Sequence, residues 1–202
     1  NTPYLTQLES EFHTQTTTLA ETITQAAGTA INPNSTKQVA ELFFDKLGLP
    51  VQKKTKTGRS TDSSVLEALA PEHPIAAHLL EYRQLEKLQS TYIRALPRLV
   101  SPITHRIHTS FNQTITQTGR LSSSNPNLQN IPIRSQEGRK IRAAFIPRAP
   151  KRKLVSADYS QIELRIAAEI SKDVNFIAAF VNGGDIHSST AKEIFNLNDK
   201  DP

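Results

Sequence analysis

The chain contains no cysteine and no methionine. The absence of cysteine excludes a disulfide framework and a metal site built from thiolates. No apolar run reaches the roughly 18 residues that a membrane-spanning helix needs, so no membrane partner is expected. Because methionine is absent even from position 1, we expect the chain to be part of a longer protein.

A length of 202 residues is enough for one large domain or two small ones. A hydrophobic fraction of 37% is slightly low for a rounded globule and favours an elongated shape or surfaces that meet partners. The formal net charge of +5 is a weak indication of a polyanionic partner.

Apolar residues recur at helical spacing through most of the first hundred residues. This periodicity predicts long helices over residues 3–26 and 71–96 and a short helix over 65–69. A further helix begins after Ser35, which together with Gln38 forms a capping-box signature. The first hundred residues are therefore predicted to be helical.

Residues 51–61, named here the basic loop, differ from the helices around them. They contain Lys53, Lys54, Lys56 and Arg59 but no acidic residue, and hydroxyl residues and glycine fill the gaps. The pattern predicts a flexible cationic loop. A phosphate-binding segment and an ordinary solvated surface loop both remain open.

After residue 100 the pattern becomes mixed, so we place a domain boundary there and expect an α+β fold. Residues 118–134, named the amide loop, are too rich in serine, asparagine and proline for a regular element. Alternation and apolar runs elsewhere predict strands over 107–112, 142–146 and 153–158 and helices over 160–171, 172–181 and 187–196.

Asp158 follows an apolar stretch and precedes a predicted helix. A carboxylate in this place can hold Mg²⁺, which prefers oxygen ligands. Aspartate is also a favoured helix N-cap, which is the alternative. Glu163, inside the next helix, is by itself more typical of an exposed or ion-paired glutamate.

The amide loop concentrates side chains that both donate and accept hydrogen bonds. Asn127, Gln129 and Asn130 could contact a minor groove, and the planar guanidinium of Arg120 suits base edges and phosphates. Alternatively, the amides satisfy the backbone of their own loop.

Residues 134–153, named the basic segment, hold eight basic residues and one acid, Glu137. The basic loop and this segment could grip a phosphate backbone at two places. His187 stands at the start of a predicted helix. It could contact a phosphate there, or it could simply be a capping or surface residue.

Taken in order, these segments resemble the polymerase domain of family A DNA polymerases of the bacterial polymerase I type. The resemblance rests on TGRLSSSNPNLQNIPIR and DYSQIELR, supported by NSTKQVAELFFDKLGLP, KKTKTGRSTDSSVLEALA and GGDIHSSTAKEIF. It extends from about Asn34 to the end of the chain. It implies a helical thumb over 1–100, part of an antiparallel palm over 101–171 and the start of helical fingers over 172–202.

The resemblance also implies a role for each candidate residue. Asp158 would bind both catalytic Mg²⁺ ions of the complete active site, and the backbone carbonyl of Tyr159 would join it on one of them. Glu163 would crowd the 2′-hydroxyl of a ribonucleotide. The other residues implied at the deoxynucleoside triphosphate are Ser160, Gln161, Ile162, His187 and Arg134. The residues implied at primer–template DNA are Arg120, Asn127, Gln129, Asn130, Lys54, Arg59 and Thr61.

Two features of the family are missing from the sequence: the fingers motif with its NFG run and the carboxylate in a His-Asp-Glu turn. We therefore expect a truncated, inactive fragment of a monomeric bacterial enzyme that is cytoplasmic and associated with the nucleoid. A non-catalytic duplex DNA-binding module and a helical scaffold with solvated basic loops are the alternatives.

Overall fold

Contacts within the chain divide it into two units, Asn1–Arg152 and Lys153–Pro202. The computed structural model describes residues 1–56, 58–149, 151–181 and 194–195. The predicted α+β class is confirmed, because the described residues are mostly helical and carry small antiparallel sheets. The predicted subdomain boundaries at residues 100 and 171 are not the division between these units, and they stay predictions.

Helices account for about half of the first unit, and two of them continue into π-helical turns. Helix α2 (Thr36–Ala40) runs into the turn Glu41–Lys46, and helix α4 (Pro74–Leu88) runs into the turn Gln89–Ile93. The α-helices of the first unit are α1 Thr2–Ala27, α2 Thr36–Ala40, α3 Ser63–Leu69, α4 Pro74–Leu88, α5 Ala95–Arg98 and α6 Gln136–Ala143.

Helix α1 has clear signals at both of its ends. The side chain of Asn1 accepts a hydrogen bond from the backbone N–H of Tyr4 at 3.2 Å, which satisfies one of the unpaired donors of the first turn. Gly28 follows the helix with φ 62°, a left-handed conformation that glycine adopts without steric cost. The helix predicted over residues 3–26 is therefore confirmed.

The apolar side chains of the first unit form two clusters along α1 and α4. The first joins the C-terminal half of α1 to α2, α3 and the start of α4, with Phe43 and Leu66 fully buried. The second joins the N-terminal half of α1 to the end of α4, its π-helical turn and α6, with Phe12 and Ile141 fully buried. The second cluster thus includes buried residues from beyond residue 100, among them Ile131 and Ile141.

The capping box predicted at α2 is only half formed. Ser35 is the N-cap, and its hydroxyl accepts from the backbone N–H of Gln38 at 3.4 Å. The side-chain oxygen of Gln38 accepts instead from the N–H of Asn32 at 2.7 Å. Gln38 therefore braces the loop before the helix rather than the N-cap residue.

Two antiparallel hairpins contain the strands of the described residues. In the first, β1 (Lys54–Thr55) pairs with β2 (Gly58–Arg59), so the basic loop contains a small ordered hairpin. In the second, β3 (Ser110–Asn112) pairs with β4 (Ser122–Ser124), with Phe111 opposite Ser123. The strand predicted over 107–112 is confirmed in its second half.

Two other predicted strands are wrong. Residues 142–146 overlap the end of α6, because the hydroxyl of Ser135 accepts from the N–H of Gly138 at 3.0 Å and starts a helix. Residues 153–158 form no regular element and are exposed. A strand requires a hydrogen-bonding partner, and the described part of the chain pairs strands only within the two hairpins.

The second unit contains α7 (Ile162–Ser171) and α8 (Val174–Val181), which confirms the helices predicted over 160–171 and 172–181. Of the helix predicted over 187–196, residues 194–195 are helical and the others lie outside the described residues. No helix among the described residues is long and apolar enough to cross a membrane.

Candidate functional site

Arg59 of the basic loop is held by a neighbouring helical turn. Its two terminal nitrogens donate to the two carboxylate oxygens of Asp45 at 2.5 and 2.6 Å. The guanidinium carbon also lies 5.3 Å from the centre of the Phe44 ring, within the range of a cation–π contact. The hydrogen bond from Arg59 lowers the pKa of Asp45, so this pair is charged at neutral pH.

A second carboxylate fixes the other end of the basic loop. Asp62 caps α3, and it accepts from Lys53 Nζ at 2.7 Å, from the hydroxyl of Ser64 at 2.8 Å and from the N–H of Val65 at 3.1 Å. These hydrogen bonds, the one from Lys53 above all, lower the pKa of Asp62. Lys53 is therefore paired within the protein.

Thr61, a predicted DNA contact, is buried and bonded to Arg83 of α4. Arg83 Nη1 donates to the carbonyl oxygen of Thr61 at 2.5 Å and lies 3.3 Å from its hydroxyl oxygen. Arg83 Nε donates to the carbonyl of Pro33 at 2.9 Å. Burial lowers the pKa of Arg83. The structure thus gives the side chain of Thr61 an internal partner.

Lys53, Lys54 and Lys56 are all exposed, and the ammonium group of Lys53 is the one paired with Asp62. Lys54 lies on β1 directly opposite Arg59 on β2. Directly opposed residues of an antiparallel pair project from the same face of the hairpin. The fixed Arg59 and the exposed Lys54 therefore share one face.

The β3–β4 hairpin carries a compact hydroxyl network. The hydroxyl of Thr109 donates to the carbonyl of Pro126 at 2.7 Å and lies 2.8 Å from the hydroxyl of Ser123. The buried Ser123 hydroxyl accepts in turn from the N–H of Leu128 at 3.1 Å. These bonds attach residues 126–128 of the amide loop to the hairpin.

The middle of the amide loop is exposed and partly bonded to itself. Asn127 Oδ1 accepts from the N–H of Gln129 at 3.0 Å, and Gln129 Nε2 donates to the carbonyl of Leu121 at 3.3 Å. Asn127 Oδ1 and Gln129 Nε2 therefore bond to the backbone of their own loop, as the alternative interpretation predicts. Asn127, Gln129 and Asn130 are all exposed, as a minor-groove contact also requires.

The end of the amide loop is anchored in the second core cluster. Ile131 is 8% exposed and lies in that cluster. The Tyr92 hydroxyl donates to the backbone carbonyl of Asn130, so the side chain of Asn130 is not used for the anchor. Arg120, near the other end of the loop, is exposed, and the hydroxyl of Thr116 donates to its carbonyl.

Most cations of the basic segment are exposed. Lys140 differs, because its ammonium group pairs with the carboxylate of Glu11 on α1, and this hydrogen bond raises the pKa of Lys140. The exposed basic residues are Arg134, Arg139, Arg142, Arg148, Lys151, Arg152 and Lys153. A continuous stretch of sequence thus presents positive charge to solvent.

Asp158 lies in the exposed stretch before α7, in the second unit. It does not cap that helix, because the N-cap residue is Gln161, which has a left-handed backbone with φ 54°. The N-cap alternative for Asp158 is therefore wrong. Tyr159 and Ser160 are also exposed and lie between Asp158 and the helix.

Arg165, which the sequence argument did not single out, ties this stretch to the helices. Its Nε donates to the carbonyl of Ser160 at 2.9 Å, and its guanidinium carbon lies 4.6 Å from the centre of the Phe180 ring on α8. Ile162 and Glu163 stand in the first turn of α7 and are exposed. A negative charge is favoured in that turn by the helix dipole.

The oxygen donors of this stretch fit a hard cation. Asp158 offers a carboxylate and Tyr159 a backbone carbonyl, both of which Mg²⁺ accepts, and Mg²⁺ commonly retains water and substrate phosphate as further ligands. The described residues contain no group of three or more His, Asp or Glu side chains that could hold a metal ion by itself. The chain can thus supply part of a coordination shell.

The predicted residues lie in three local groups, two in the first unit and one in the second. The basic loop holds Lys54, Arg59 and Thr61, the amide loop holds the amides, and the Asp158 stretch holds residues 158–163. His187 lies outside the described residues. Sequence reasoning missed Asp45, Arg83 and Arg165, because each contacts a residue outside its own helix and the contact follows only from the fold.

The family model and the similar proteins that match this chain are all DNA polymerases of one family. The model of DNA polymerase family A matches residues 2–201. DNA polymerase I of Geobacillus stearothermophilus is 55% identical over 201 residues, which cover 100% of this chain and 23% of that protein. DNA polymerase I of Bacillus subtilis is 56% identical over 177 residues, which cover 88% of this chain and 20% of that protein.

A solved structure shares the fold at high similarity. The POL domain of Pol1 from M. smegmatis, in complex with DNA primer-template and dNTP, superposes with a TM-score of 0.90 and 46% identity. The alignment covers 98% of this chain and 35% of that chain. The chain thus spans about a fifth to a third of the relatives that it matches.

Proposed function

Because the chain belongs to DNA polymerase family A, we propose that its protein carries out template-directed DNA synthesis. The reaction is the transfer of a deoxynucleotide to the 3′ end of a primer. The observation that carries the proposal is the similarity over 98% of the chain to a polymerase domain whose structure contains primer-template DNA and dNTP. The monomeric state and the location at the bacterial nucleoid stay predictions.

The carboxylate of Asp158 and the carbonyl of Tyr159 would hold Mg²⁺ in this protein. The ion supplies positive charge that stabilises the transferring phosphoryl group. Both donors lie in an exposed stretch that a triphosphate can reach, and Arg165 holds that stretch at Ser160. One carboxylate does not hold two ions, so we propose that residues 1–202 alone bind DNA without extending a primer.

The residues around Asp158 would form part of the nucleotide site. Glu163, in the exposed first turn of α7, would crowd a 2′-hydroxyl and so favour deoxynucleotides. Phosphoryl transfer depends on positioning and charge more than on covalent help, which suits these polar residues. The other proposed nucleotide contacts are Ser160, Gln161, Ile162, Arg134 and His187.

The amide loop would contact the minor groove of the primer–template duplex. Minor-groove acceptors are nearly the same for every correct base pair, so amides and Arg120 can bind any sequence and still sense mispairs. The exposed positions of Asn127, Gln129 and Asn130 and the anchoring of the loop at Ile131 support this role.

The exposed cations of the basic segment would bind the phosphate backbone, and salt dependence tests this role. In the complete protein, meaning the product of the whole reading frame that contains this chain, primer–template affinity should fall steeply between about 50 and 200 mM salt. Replacing both Arg142 and Arg148 by glutamine should reduce the slope of log K against log salt by about 0.9 for each lost contact.

Lys37→Gln is the matched control for this measurement. Lys37 is also an exposed cation of the first unit, but it lies on α2, outside both basic regions. Its replacement should leave the slope unchanged. An affinity that does not depend on salt, or a slope change as large in the control, would contradict backbone binding by the basic segment.

A further inference from the structure

We propose that Arg59 is a positioning residue for DNA binding, and that Lys54 and Lys56 make the phosphate contacts of the basic loop. The inference rests on the proposed function, since it assigns different roles in DNA binding to individual residues of the basic loop. It departs from the sequence-based expectation, which assigned Arg59 and Thr61 to DNA together with Lys54.

The guanidinium of Arg59 is already engaged within the protein. Both of its terminal nitrogens bond to Asp45, and one face of the guanidinium lies over Phe44. A bidentate arginine–carboxylate pair is geometrically specific, and its two charges cancel at a distance. The Arg59 side chain is 30% exposed, whereas that of Asp45 is 58% exposed. A phosphate that approached this pair would meet the carboxylate as well as the guanidinium.

The remaining cations of the region divide in the same way. Lys53 pairs with Asp62, the N-cap of α3, and the buried Thr61 bonds to Arg83. Lys53 is exposed but already paired, and Lys54 and Lys56 are the other exposed lysines of the loop. A lysine serves as a mobile point charge for phosphate, and it needs no fixed fork geometry.

The hairpin couples the fixed arginine to the exposed lysine. Lys54 pairs directly with Arg59 across β1 and β2, and the N–H of Ser60 donates to the carbonyl of Lys53 at 2.9 Å. A two-stranded hairpin is marginally stable by itself. Its attachment to the turn Glu41–Lys46 through Asp45 therefore determines where the Lys54 ammonium group is presented.

The variant Asp45→Asn separates positioning from direct contact, because the two roles predict opposite signs. If Arg59 contacts phosphate, removing the neighbouring negative charge frees the guanidinium, and primer–template affinity rises. If Arg59 positions the hairpin, the same change loosens it, and we expect Kd to rise roughly threefold or more. The complete protein is titrated with a labelled primer–template duplex at several salt concentrations, and its thermal unfolding midpoint is compared with that of the wild type.

Two further variants make the test independent of the net charge. Arg59→Lys keeps the charge but loses the fork, so it should weaken binding as Asp45→Asn does, whereas a direct phosphate contact would survive it. The double exchange Asp45→Arg with Arg59→Asp restores the pair and should recover affinity relative to Arg59→Asp alone. Lys54→Gln should lower the salt slope by about 0.9, which marks a direct contact.

The outcomes distinguish this inference from the proposed function. A wild-type protein that binds no primer–template at about 50 mM salt overturns the proposed function and this inference with it. A wild-type protein that binds, together with an Asp45→Asn variant that binds equally or more tightly, overturns the positioning role alone. Weaker binding by Asp45→Asn and Arg59→Lys, with recovery in the double exchange, supports it.

Discussion

Replacing Asp158 by asparagine in the complete protein should reduce the rate of primer extension on the order of 10³-fold or more. The estimate follows from the loss of several kcal/mol of transition-state stabilisation when a metal ligand is removed. Asparagine keeps the shape of the side chain but lacks the charge that holds Mg²⁺. Asp158 lies in the exposed stretch before α7 and does not cap that helix, so the fold should be unaffected.

The measurement is single-turnover primer extension, with duplex affinity measured on the same preparation. Asp173→Asn is the matched control, since Asp173 is also an exposed aspartate of the second unit, and its Oδ1 accepts from the N–H of Phe176 at 2.8 Å. Asparagine serves this capping role about equally well. Normal extension by Asp158→Asn would show that Asp158 holds no catalytic metal.

Replacing Gly138 by alanine should destabilise the first unit by about 1–3 kcal/mol, a typical cost of overpacking. Gly138 is buried in α6, and a Cβ atom there would lie 2.5 Å from Cβ and 2.7 Å from the carbonyl oxygen of Pro132. Alanine normally stabilises a helix relative to glycine by about 1 kcal/mol, so the expected sign is the reverse of the usual one. The backbone of Pro132 cannot move without shifting the end of the amide loop.

The free energy of unfolding, measured by denaturant titration, checks this prediction. Gln136→Ala, at an exposed position of the same helix, should change it by less than about 0.5 kcal/mol. If Gly138→Ala is as stable as the wild type, α6 does not approach Pro132 as closely as the structure shows. We also expect weaker primer–template binding by Gly138→Ala, because the amide loop ends beside Pro132.

The helices of the first unit could be predicted because their signals are local. The apolar spacing of α1 and α4 and the caps at Asn1 and Ser35 act within a few residues of each other. Such signals do not depend on what the rest of the chain contributes. The predicted helix after Pro71 begins instead at Pro74, where His73 Nδ1 accepts from the N–H of Ile75 at 3.3 Å.

The strands could not be predicted in the same way because a strand depends on a partner. Residues 153–158 have a strand-like apolar pattern, yet Val155 is 89% exposed and the segment forms no ladder among the described residues. The segment 142–146 is so short that its apolar pattern does not distinguish a strand from a helix. The N-cap at Ser135 starts α6, which extends to Ala143.

Some features of the candidate site depend on neighbouring residues in the sequence, and others depend on contacts between separate elements. Sequence motifs locate Asp158 and the amide loop, because their residues are neighbours in sequence. The internal bonds of Arg59 and Thr61 could not be foreseen, because Asp45 and Arg83 come from other elements. Composition alone therefore did not show that Lys53 and Arg59 form ion pairs within the protein.

The most direct measurement of the central claim is primer extension by the complete wild-type protein with Mg²⁺, a primed template and the four deoxynucleoside triphosphates. We expect stepwise lengthening of the primer in the order that the template specifies. A protein that binds the duplex with a steep salt dependence and leaves the primer unchanged would contradict it and would instead be a non-catalytic DNA-binding module.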